Sequence, residues 1–600
     1  MLRSFIIIAL LMIIFSYNAK AMDLITNVDN RSTVSLNGRW NVIVDPYETG
    51  YYDYRYELAD DSYFLNEKPI DKTDRVESSF DTDHMLQVPG DWNSQEERMF
   101  FYEGTVWYHR LFDYQPKPET RVFLYFGAIN YKAIVSINTD ILGEHEGGFT
   151  PFNFEITNQL REKDNFVIVK ADNKRLREAV PTVNTDWFNY GGLTRRVMLI
   201  ETPETFIRDY LIQLAPGSRE RIAGWVQLDG TKTEQQITVR IPEAGIEQTI
   251  RSDSLGRAEF DFSAELTLWS PDHPKLYEVE IECESDQLKD RIGFRTIETR
   301  GNDILLNGNP AFLRGICIHE EAPFGGGARA FSPEHARTLL GWAKELNCNF
   351  VRLAHYPHNE YMTRIADEMG LMVWSEIPVY WTILWENQPT FDNAANQLEE
   401  MILRDKNKAS VILWSVANET PVKPERTKFL TSLVKLARKL DNTRLITAAL
   451  EKEYMDDTTI MIDDPLGREL DVVGCNQYLG WYDGLPAKCD NIVWRSAFEK
   501  PVIISEFGGG ALFGLHGDEL TRWSEEFQAS VYRHNLDMLD KVKFIKGMTP
   551  WILKDFRSPK RQIPRIQDLW NRKGLISDRG ERKQAFDILR TFYGRKKPKN

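Results

Sequence analysis

The sequence predicts a multidomain chain in which two β-sandwiches precede a C-terminal (β/α)8 TIM barrel. A length of 600 residues exceeds what one hydrophobic core usually serves, so several domains are expected. Short runs of alternating apolar and polar residues fill the first half of the chain, a pattern typical of antiparallel sheets. After about residue 298, strand-like runs alternate with stretches of helical periodicity, which indicates repeated β/α units.

Residues 22–200 are predicted to form a jelly-roll-like sandwich. Its alternating runs, such as 121–126 and 165–169, are separated by Gly, Asn, Asp and Pro, the residues that favour turns. The same pattern recurs on a smaller scale over residues 201–297. That length suits an immunoglobulin-like sandwich.

The barrel is predicted over residues 298–600. Its helix-like segments include 332–347, which opens with a Ser-Pro start signal, and 424–440, where a Phe and three Leu share one face. Eight strand-like runs are expected to end near His319, Ala354, Ile377, Glu419, Leu450, Tyr478, Glu506 and Trp551. In a barrel of this kind, catalytic residues lie at the C-terminal face, where each strand ends and the following loop begins.

The first 21 residues are predicted to be a signal peptide. Arg3 supplies a positive charge, residues 5–15 form an uninterrupted apolar run, and Ala19-Lys20-Ala21 fits a small-x-small cleavage site. A membrane anchor is the alternative, but the run is shorter than the roughly 20 apolar residues that span a bilayer. We therefore expect an exported protein, periplasmic or secreted, with no membrane insertion after cleavage.

Composition limits the partners and cofactors. A net charge of −15 and a pI near 5.4 argue against nucleic acid or an anionic membrane as the main partner, because both require a basic surface. The five cysteines show neither close pairing nor metal-ligand spacing. We expect no metal, no cofactor and no required disulfide, and a homo-oligomer remains open.

Two carboxylates occupy the positions that matter for chemistry. Glu419 closes the apolar run 411–414 and would end strand four, and Glu506 would end strand seven. Glu is rarely buried without a partner, and burying its charge shifts its pKa. Two such residues at one barrel mouth suggest glycoside hydrolysis, and we predict a separation of about 5 Å, the geometry of retaining enzymes.

The segments Ala417-Asn418-Glu419 and Ser505-Glu506-Phe507-Gly508, following the two sandwiches, resemble glycoside hydrolase family 2 over essentially the whole mature chain. The resemblance implies that Glu419 is the general acid and base and that Glu506 is the nucleophile. It also implies that Asn418 binds the sugar 2-hydroxyl, a contact that can strengthen in the transition state.

Further segments resemble the bacterial β-glucuronidases of that family. In residues 476–482, Tyr478 would support the nucleophile and Tyr482 would line the sugar site. The resemblance also points to Asp186 from the first sandwich, to His319 after strand one, and to Trp551 beneath the sugar. The alternatives are a structural hydrogen bond for His319 and core packing for Trp551.

Asn571-Arg572-Lys573-Gly574 matches the Asn-x-Lys motif associated with recognition of a uronate carboxylate. An amide and an ammonium can together hold a carboxylate by charge-assisted hydrogen bonds. Residues 554–583 carry ten Lys or Arg against four Asp or Glu, the basic patch that an anionic sugar would need. The alternative is a solvated basic loop.

The sequence thus predicts a retaining exo-β-glycosidase that removes terminal β-D-glucuronic acid from a glucuronide or a uronate-containing oligosaccharide. The alternatives are a β-galactosidase, β-galacturonidase or β-mannosidase of the same family, and a non-catalytic carbohydrate-binding protein. An aromatic cluster, Tyr380, Trp381 and Trp385, either stacks on a leaving group or packs as core or lid.

Overall fold

The computed structural model describes residues 24–68, 71, 73 and 78–597. The predicted signal peptide, residues 1–21, lies outside this part of the chain. Within the described residues, no helix is both long and apolar enough to cross a membrane.

The N-terminal domain is a sandwich of two antiparallel sheets. One buried cluster contains Trp40 and Tyr108 from one sheet together with Leu124 and Phe126 from the other, so the two sheets share a core. The first sheet has the order Ser32–Ser35, Val197–Pro203, Thr120–Phe126, Phe152–Glu155, and the second Met85–Val88, Gly38–Asp45, Thr105–Phe112, Asn165–Asp172, Lys132–Ile137, Asp140–Glu146. Alternation of apolar residues therefore predicted this region correctly.

The second domain is a smaller antiparallel sandwich. Tyr210 and Val226 from one sheet and Val239 and Val279 from the other share a core. The sheets have the orders Phe206–Leu214, Arg221–Asp229, Arg257–Ser263, and Ile246–Arg251, Gln236–Ile241, Tyr277–Cys283, Gln287–Ile292. A short sheet of Ile297–Arg300, Asp303–Leu306 and Asn309–Pro310 then leads into the barrel.

The barrel closes through its first strand, which is divided into two segments. Leu313–Arg314 pairs in parallel with the eighth strand, and Cys317–Ile318 pairs in parallel with the second. The barrel strands are β1 (Cys317–Ile318), β2 (Phe350–Leu353), β3 (Met372–Glu376), β4 (Val411–Asn418), β5 (Leu445–Leu450), β6 (Val473–Asn476), β7 (Val502–Glu506) and β8 (Ile545–Met548). The predicted barrel and its eight strands are confirmed.

In the described part of the barrel, six α-helices surround these strands. They are α1 (Pro333–Glu345), α2 (Glu360–Met369), α3 (Gln388–Asp405), α4 (Pro424–Leu440), α5 (Glu525–Leu539) and α6 (Gln584–Arg595). The Ser332 side chain caps α1 by accepting a hydrogen bond from the His335 amide, as the Ser-Pro signal indicated. Phe429 and Leu433 of α4 are buried against the strands.

The fifth and sixth units of the barrel lack the α-helix of a regular β/α unit. The connections after β5 and β6 are fully described, and each contains a 3-10 turn in place of an α-helix, at Pro465–Arg468 and Pro486–Asn491. These two connections also contain a small sheet of Glu453–Tyr454, Thr459–Ile462 and Val493–Ser496. A proline opens each turn, and the polar segment before Thr459 offers no apolar face for a helix to bury.

Buried polar contacts fasten the first domain to the barrel. Arg195 donates hydrogen bonds to the Glu320 carboxylate, just after β1, and to the Pro357 carbonyl at 2.7 Å. His145 lies 2.9 Å from the Glu400 carboxylate of α3, with both side chains buried. Because buried charges are costly unless they are paired, the Arg195–Glu320 pair fixes the sandwich at the barrel's C-terminal end, and His145 adds a contact with α3.

Candidate active site

Both predicted carboxylates lie at the C-terminal end of the barrel. Glu506 is the last residue of β7 and is 4 % exposed. Glu419 directly follows β4, has a positive φ of 47° and is half-buried. Its backbone amide donates to the Ala449 carbonyl of β5 at 2.9 Å, which fixes the turn that carries it.

The Glu506 carboxylate is held by two donors. Arg352 donates to its Oε1 at 2.9 Å and the Tyr478 hydroxyl donates to its Oε2 at 2.7 Å, so the predicted support by Tyr478 is present as a contact. Burial and the nearby negative charge of Glu419 raise the pKa of Glu506, against the opposing effect of Arg352. The two carboxylates therefore interact electrostatically.

Arg352, His355 and Glu376 form a buried network beside Glu506 that sequence reasoning missed. Arg352 of β2 also donates to Glu376 at 3.0 Å and to the side-chain Oδ1 of Asn418 at 2.7 Å. Burial acts to raise the pKa of Glu376, but Arg352 and His355 hold it below its usual value. An arginine inside an apolar strand was the available signal, because a buried charge requires a partner.

Glu419 accepts hydrogen bonds from two neutral donors. The Trp381 indole donates to its Oε2 at 2.9 Å, and the Asn476 amide donates to its Oε1 at 3.0 Å. Asn476 is fixed in turn by the Ser505 hydroxyl at 2.6 Å. The buried Asn418 Nδ2 has no hydrogen-bond partner among the described residues, so it is available to a sugar hydroxyl.

Trp551 and His319 form part of an aromatic surface beside the carboxylates. Trp551 is 3 % exposed and stacks on His355 with ring centroids 4.8 Å apart. His319 meets Trp551 edge-on at 5.2 Å, and its Nδ1 lies 3.1 Å from the Tyr356 hydroxyl. Burial lowers the pKa of His319 well below its usual value, and its buried Nε2 has no partner in the described chain.

Asp186 reaches the barrel from the first domain. Its carboxylate accepts from the Ser558 hydroxyl at 2.7 Å, from the Asn571 amide at 3.2 Å and from the Arg561 guanidinium. The side-chain Oδ1 of Asn571 accepts from the Lys573 backbone amide at 3.2 Å. Asp186 and Asn571 are thus brought together, and Asn571 is engaged by a carboxylate of the protein.

Lys573 lies within a group of aromatic rings. Its ammonium donates to the Tyr482 hydroxyl at 2.8 Å and lies 5.6 Å from the Tyr478 ring centroid. Lys573 is 4 % exposed, and no carboxylate of the described chain lies within ion-pair distance of its ammonium. Although burial acts to raise the pKa of Tyr482, Lys573 and Arg561 lower it.

Family models match all three domains. The TIM barrel domain of glycosyl hydrolases family 2 matches residues 297–595, and the sugar binding domain of that family matches residues 33–203. A third model of the same family matches residues 222–295. The chain belongs to glycosyl hydrolase family 2. It is therefore a glycoside hydrolase, as its sequence predicted.

Similar family members include enzymes named β-glucuronidase. That of Paenibacillus borealis is 28% identical over 561 residues, covering 85% of this chain and 91% of its own. That of Mus musculus is 27% identical over 570 residues, covering 85% of each chain. These relatives support glycosidase activity.

Solved structures share the fold. A Bifidobacterium dentium β-glucuronidase complexed with coumarin-3-O-glucuronide has a TM-score of 0.81 at 24% identity, covering 94% of this chain and 97% of its own. A β-galacturonidase from Eisenbergiella tayi bound to glycerol has a TM-score of 0.77 at 23% identity, with the same coverages.

The three aromatic residues after β3 in this family 2 enzyme, Tyr380, Trp381 and Trp385, have different neighbours. Tyr380 is buried against Trp187, with ring centroids 5.0 Å apart, whereas Trp385 packs on Phe429 of α4 at 5.4 Å. Trp381 is half-buried and is the member that contacts Glu419. The packing interpretation thus fits two of the three residues.

Four of the ten Lys and Arg side chains in residues 554–583, the stretch expected to attract an anion, are already paired with carboxylates of the protein. Arg572 pairs with Asp555 at 3.2 Å. Lys583 lies 2.8 Å from Asp555, Arg582 lies 2.6 Å from Glu345, and Arg561 pairs with Asp186. Part of the positive charge of this stretch thus forms ion pairs that stabilise its loops, and the remainder is left for the site. Within the described chain no group of His, Cys, Asp and Glu could hold a metal ion, and all five cysteines are buried and unpaired.

Proposed function

We propose that this family 2 glycosidase is a retaining exo-β-glucuronidase that releases terminal β-D-glucuronic acid. The observation that carries the proposal is the buried Lys573 ammonium, which has no carboxylate partner in the described chain. A lysine is rarely buried without a partner, because desolvating its charge is costly. A uronate carboxylate would supply the missing negative charge.

The position of Lys573 suits the glycone. Its ammonium is next to the ring of Tyr478, whose hydroxyl bonds to Glu506 at 2.7 Å. A sugar with its anomeric carbon at Glu506 would therefore direct its C5 substituent past Tyr478 toward Lys573. A neutral hydroxymethyl group there would leave the ammonium unpaired. The names of the relatives favour the same substrate class.

The side chains around the two carboxylates differ, and the difference supports separate roles for Glu419 and Glu506 in the reaction. Glu506 is held by the cationic Arg352, whereas Glu419 accepts hydrogen bonds from two neutral side chains, an arrangement that supports Glu506 as the nucleophile and Glu419 as the acid. Glu506 then attacks the anomeric carbon while Glu419 protonates the leaving oxygen. Glu419 next deprotonates the water that releases the sugar and frees Glu506.

The uronate claim is tested by Lys573→Met assayed on 4-nitrophenyl β-glucuronide and β-galactoside. Losing one partner of a buried charge pair costs about 2–5 kcal/mol, so kcat/KM on the glucuronide should fall at least about 30-fold. Loss on the galactoside should be far smaller, and Lys573→Arg, which keeps the charge, should recover part of the glucuronide activity.

Equal losses on the two substrates would remove the uronate claim. The same panel should include a β-galacturonide and a β-mannoside. A galacturonide differs from a glucuronide only at C4, so Lys573 alone does not distinguish these two uronides, and their kcat/KM ratio measures the preference directly.

Export is part of the same proposal. Residues 1–21 carry the features of a signal peptide. N-terminal sequencing of the protein from periplasm and culture medium should give Met22 as the first residue. An intact residue 1 in the cytoplasm would contradict export.

A further inference from the structure

We propose that Lys560 makes this enzyme favour leaving groups that carry a negative charge. Together with Trp381 and Asn184, it would form a leaving-group subsite beside Glu419. The inference rests on the proposed function, because it assigns Glu419 as the acid that protonates the leaving oxygen. The substrate class is a uronide whose next sugar bears a carboxylate or a sulfate ester.

Trp381 lies on the solvent-facing side of the Glu419 carboxylate. Of the two donors to the Glu419 carboxylate, Asn476 is 5 % exposed and lies at the end of β6, inside the barrel mouth. Trp381 is half-buried and reaches the surface. Because the leaving group must depart from the acid toward solvent, it passes the indole of Trp381.

The indole has a fixed position. The Trp381 backbone amide donates to the Asn418 carbonyl at 3.0 Å, and its φ of 54° lies in the left-handed region that bulky residues rarely adopt. Such strain is typically found at functional sites. The indole N–H donates to Glu419 at 2.9 Å, so backbone and side chain both tie Trp381 to the proposed acid.

Lys560 places a positive charge over this indole. Its ammonium lies 4.3 Å from the ring centroid of Trp381 and donates to the Asn184 side-chain oxygen at 2.7 Å. Asn184 belongs to the first domain, so both domains contribute to this side of the site. A cation on the face of an indole is attracted by the ring quadrupole.

The charge of Lys560 is not balanced by a close carboxylate. No acidic group of the described residues lies within ion-pair distance of its ammonium. The nearby Asp186 carboxylate is already occupied by Ser558, Arg561 and Asn571. Burial and the neighbouring Arg561 lower the pKa of Lys560, whereas Asp186 raises it.

Lys560 and Lys573 would therefore serve different parts of the substrate. Lys573 contacts Tyr482 and the ring of Tyr478, on the side of the glycone, whereas Lys560 lies on Trp381, on the side of the leaving group. An anionic group on the second sugar would gain the attraction of Lys560. The ammonium would have to exchange only the Asn184 amide oxygen for it.

The test compares β-linked glucuronosyl disaccharides that share one linkage and differ only in whether the second sugar is neutral, sulfated or a uronate. The wild-type enzyme should prefer the anionic substrates in kcat/KM. An exposed charge pair is worth up to about one kcal/mol, so Lys560→Met should reduce that preference about three- to fivefold. Lys560→Arg should retain it, and 0.5 M salt should weaken it in the wild type.

Equal effects of Lys560→Met on neutral and anionic substrates would overturn the inference, because they would show that Lys560 merely supports Trp381. So would a wild-type enzyme that prefers the neutral substrate. If neither sulfate nor carboxylate is favoured, the proposal fails for both anions. Should the glycoside panel identify another glycone, disaccharides of that glycone make the same comparison, so failure of the glucuronidase proposal is distinguishable.

Discussion

Removing the hydroxyl of Tyr478 tests whether Glu506 acts as an ionised nucleophile. The hydroxyl donates to Glu506 at 2.7 Å and opposes the burial and the Glu419 charge that raise the pKa of this carboxyl. Tyr478→Phe keeps the ring and removes only the donor. The pKa of Glu506 should therefore rise further, and the acid limb of the kcat/KM profile should move to higher pH.

The expected fall in kcat/KM follows from the free energy of the hydrogen bond between Tyr478 and Glu506. A hydrogen bond to a charged group contributes about 1.5–3 kcal/mol. On the acid limb this free energy lowers the ionised fraction of Glu506, and with it kcat/KM, by about 10- to 150-fold. The assay is a set of kcat/KM profiles for a uronide from pH 3.5 to about 8, with circular dichroism to verify folding.

Tyr482→Phe is the matched control. Tyr482 lies beside Tyr478 but bonds to Lys573 and not to Glu506. Its removal should leave the acid limb in place. An unshifted acid limb in Tyr478→Phe, or equal shifts in both variants, would refute the assignment of that limb to Glu506.

Two further predictions concern the reaction course and the barrel's stability. Glu419→Ala should lower kcat/KM about 10²- to 10⁴-fold on substrates with poor leaving groups. On a substrate whose leaving group needs no protonation, added azide should restore turnover by attacking the glycosyl-enzyme, with a β-glycosyl azide as product; an α-azide would contradict double displacement. Arg426→Met should cost about 3–5 kcal/mol in urea unfolding because it leaves Asp464 buried and unpaired. Arg438→Met on the same helix, from a partly exposed pair, should cost less than about 1 kcal/mol; similar losses would show that burial does not decide the effect.

The strands of the barrel could be predicted because each is a compact apolar run followed by a loop. Glu419 and Glu506 were found through the same feature, since strand ends meet at one mouth. Glu376 also ends a strand, yet Arg352 and His355 neutralise it. Strand-end position therefore identifies candidate carboxylates without ranking them. Glu376 and Glu506 both accept from Arg352, and the hydrogen bond from Tyr478 goes to Glu506.

Contacts between domains could not be predicted from local pattern. Asn571 was expected to face a substrate carboxylate, and in the structure its amide donates to Asp186, 385 residues away in the chain. The hydrogen bond between Lys560 and Asn184 likewise joins the two domains and could not be predicted from local pattern. Periodicity and turn signals specify neighbours within one element, whereas these pairs depend on how two complete domains dock.

Asp186 and Asn184 of the first domain contact the loops that follow the last barrel strand, so turnover should depend on whether the two domains are docked. An isolated barrel would retain Glu419 and Glu506 but would lack the acceptor that holds Arg561, Ser558 and Asn571 in place. Contacts between domains generally resist denaturant less than a domain core. Catalysis should therefore vanish in mild urea before the barrel's circular dichroism changes, so an activity assay reports separation of the domains that spectroscopy of the barrel does not detect.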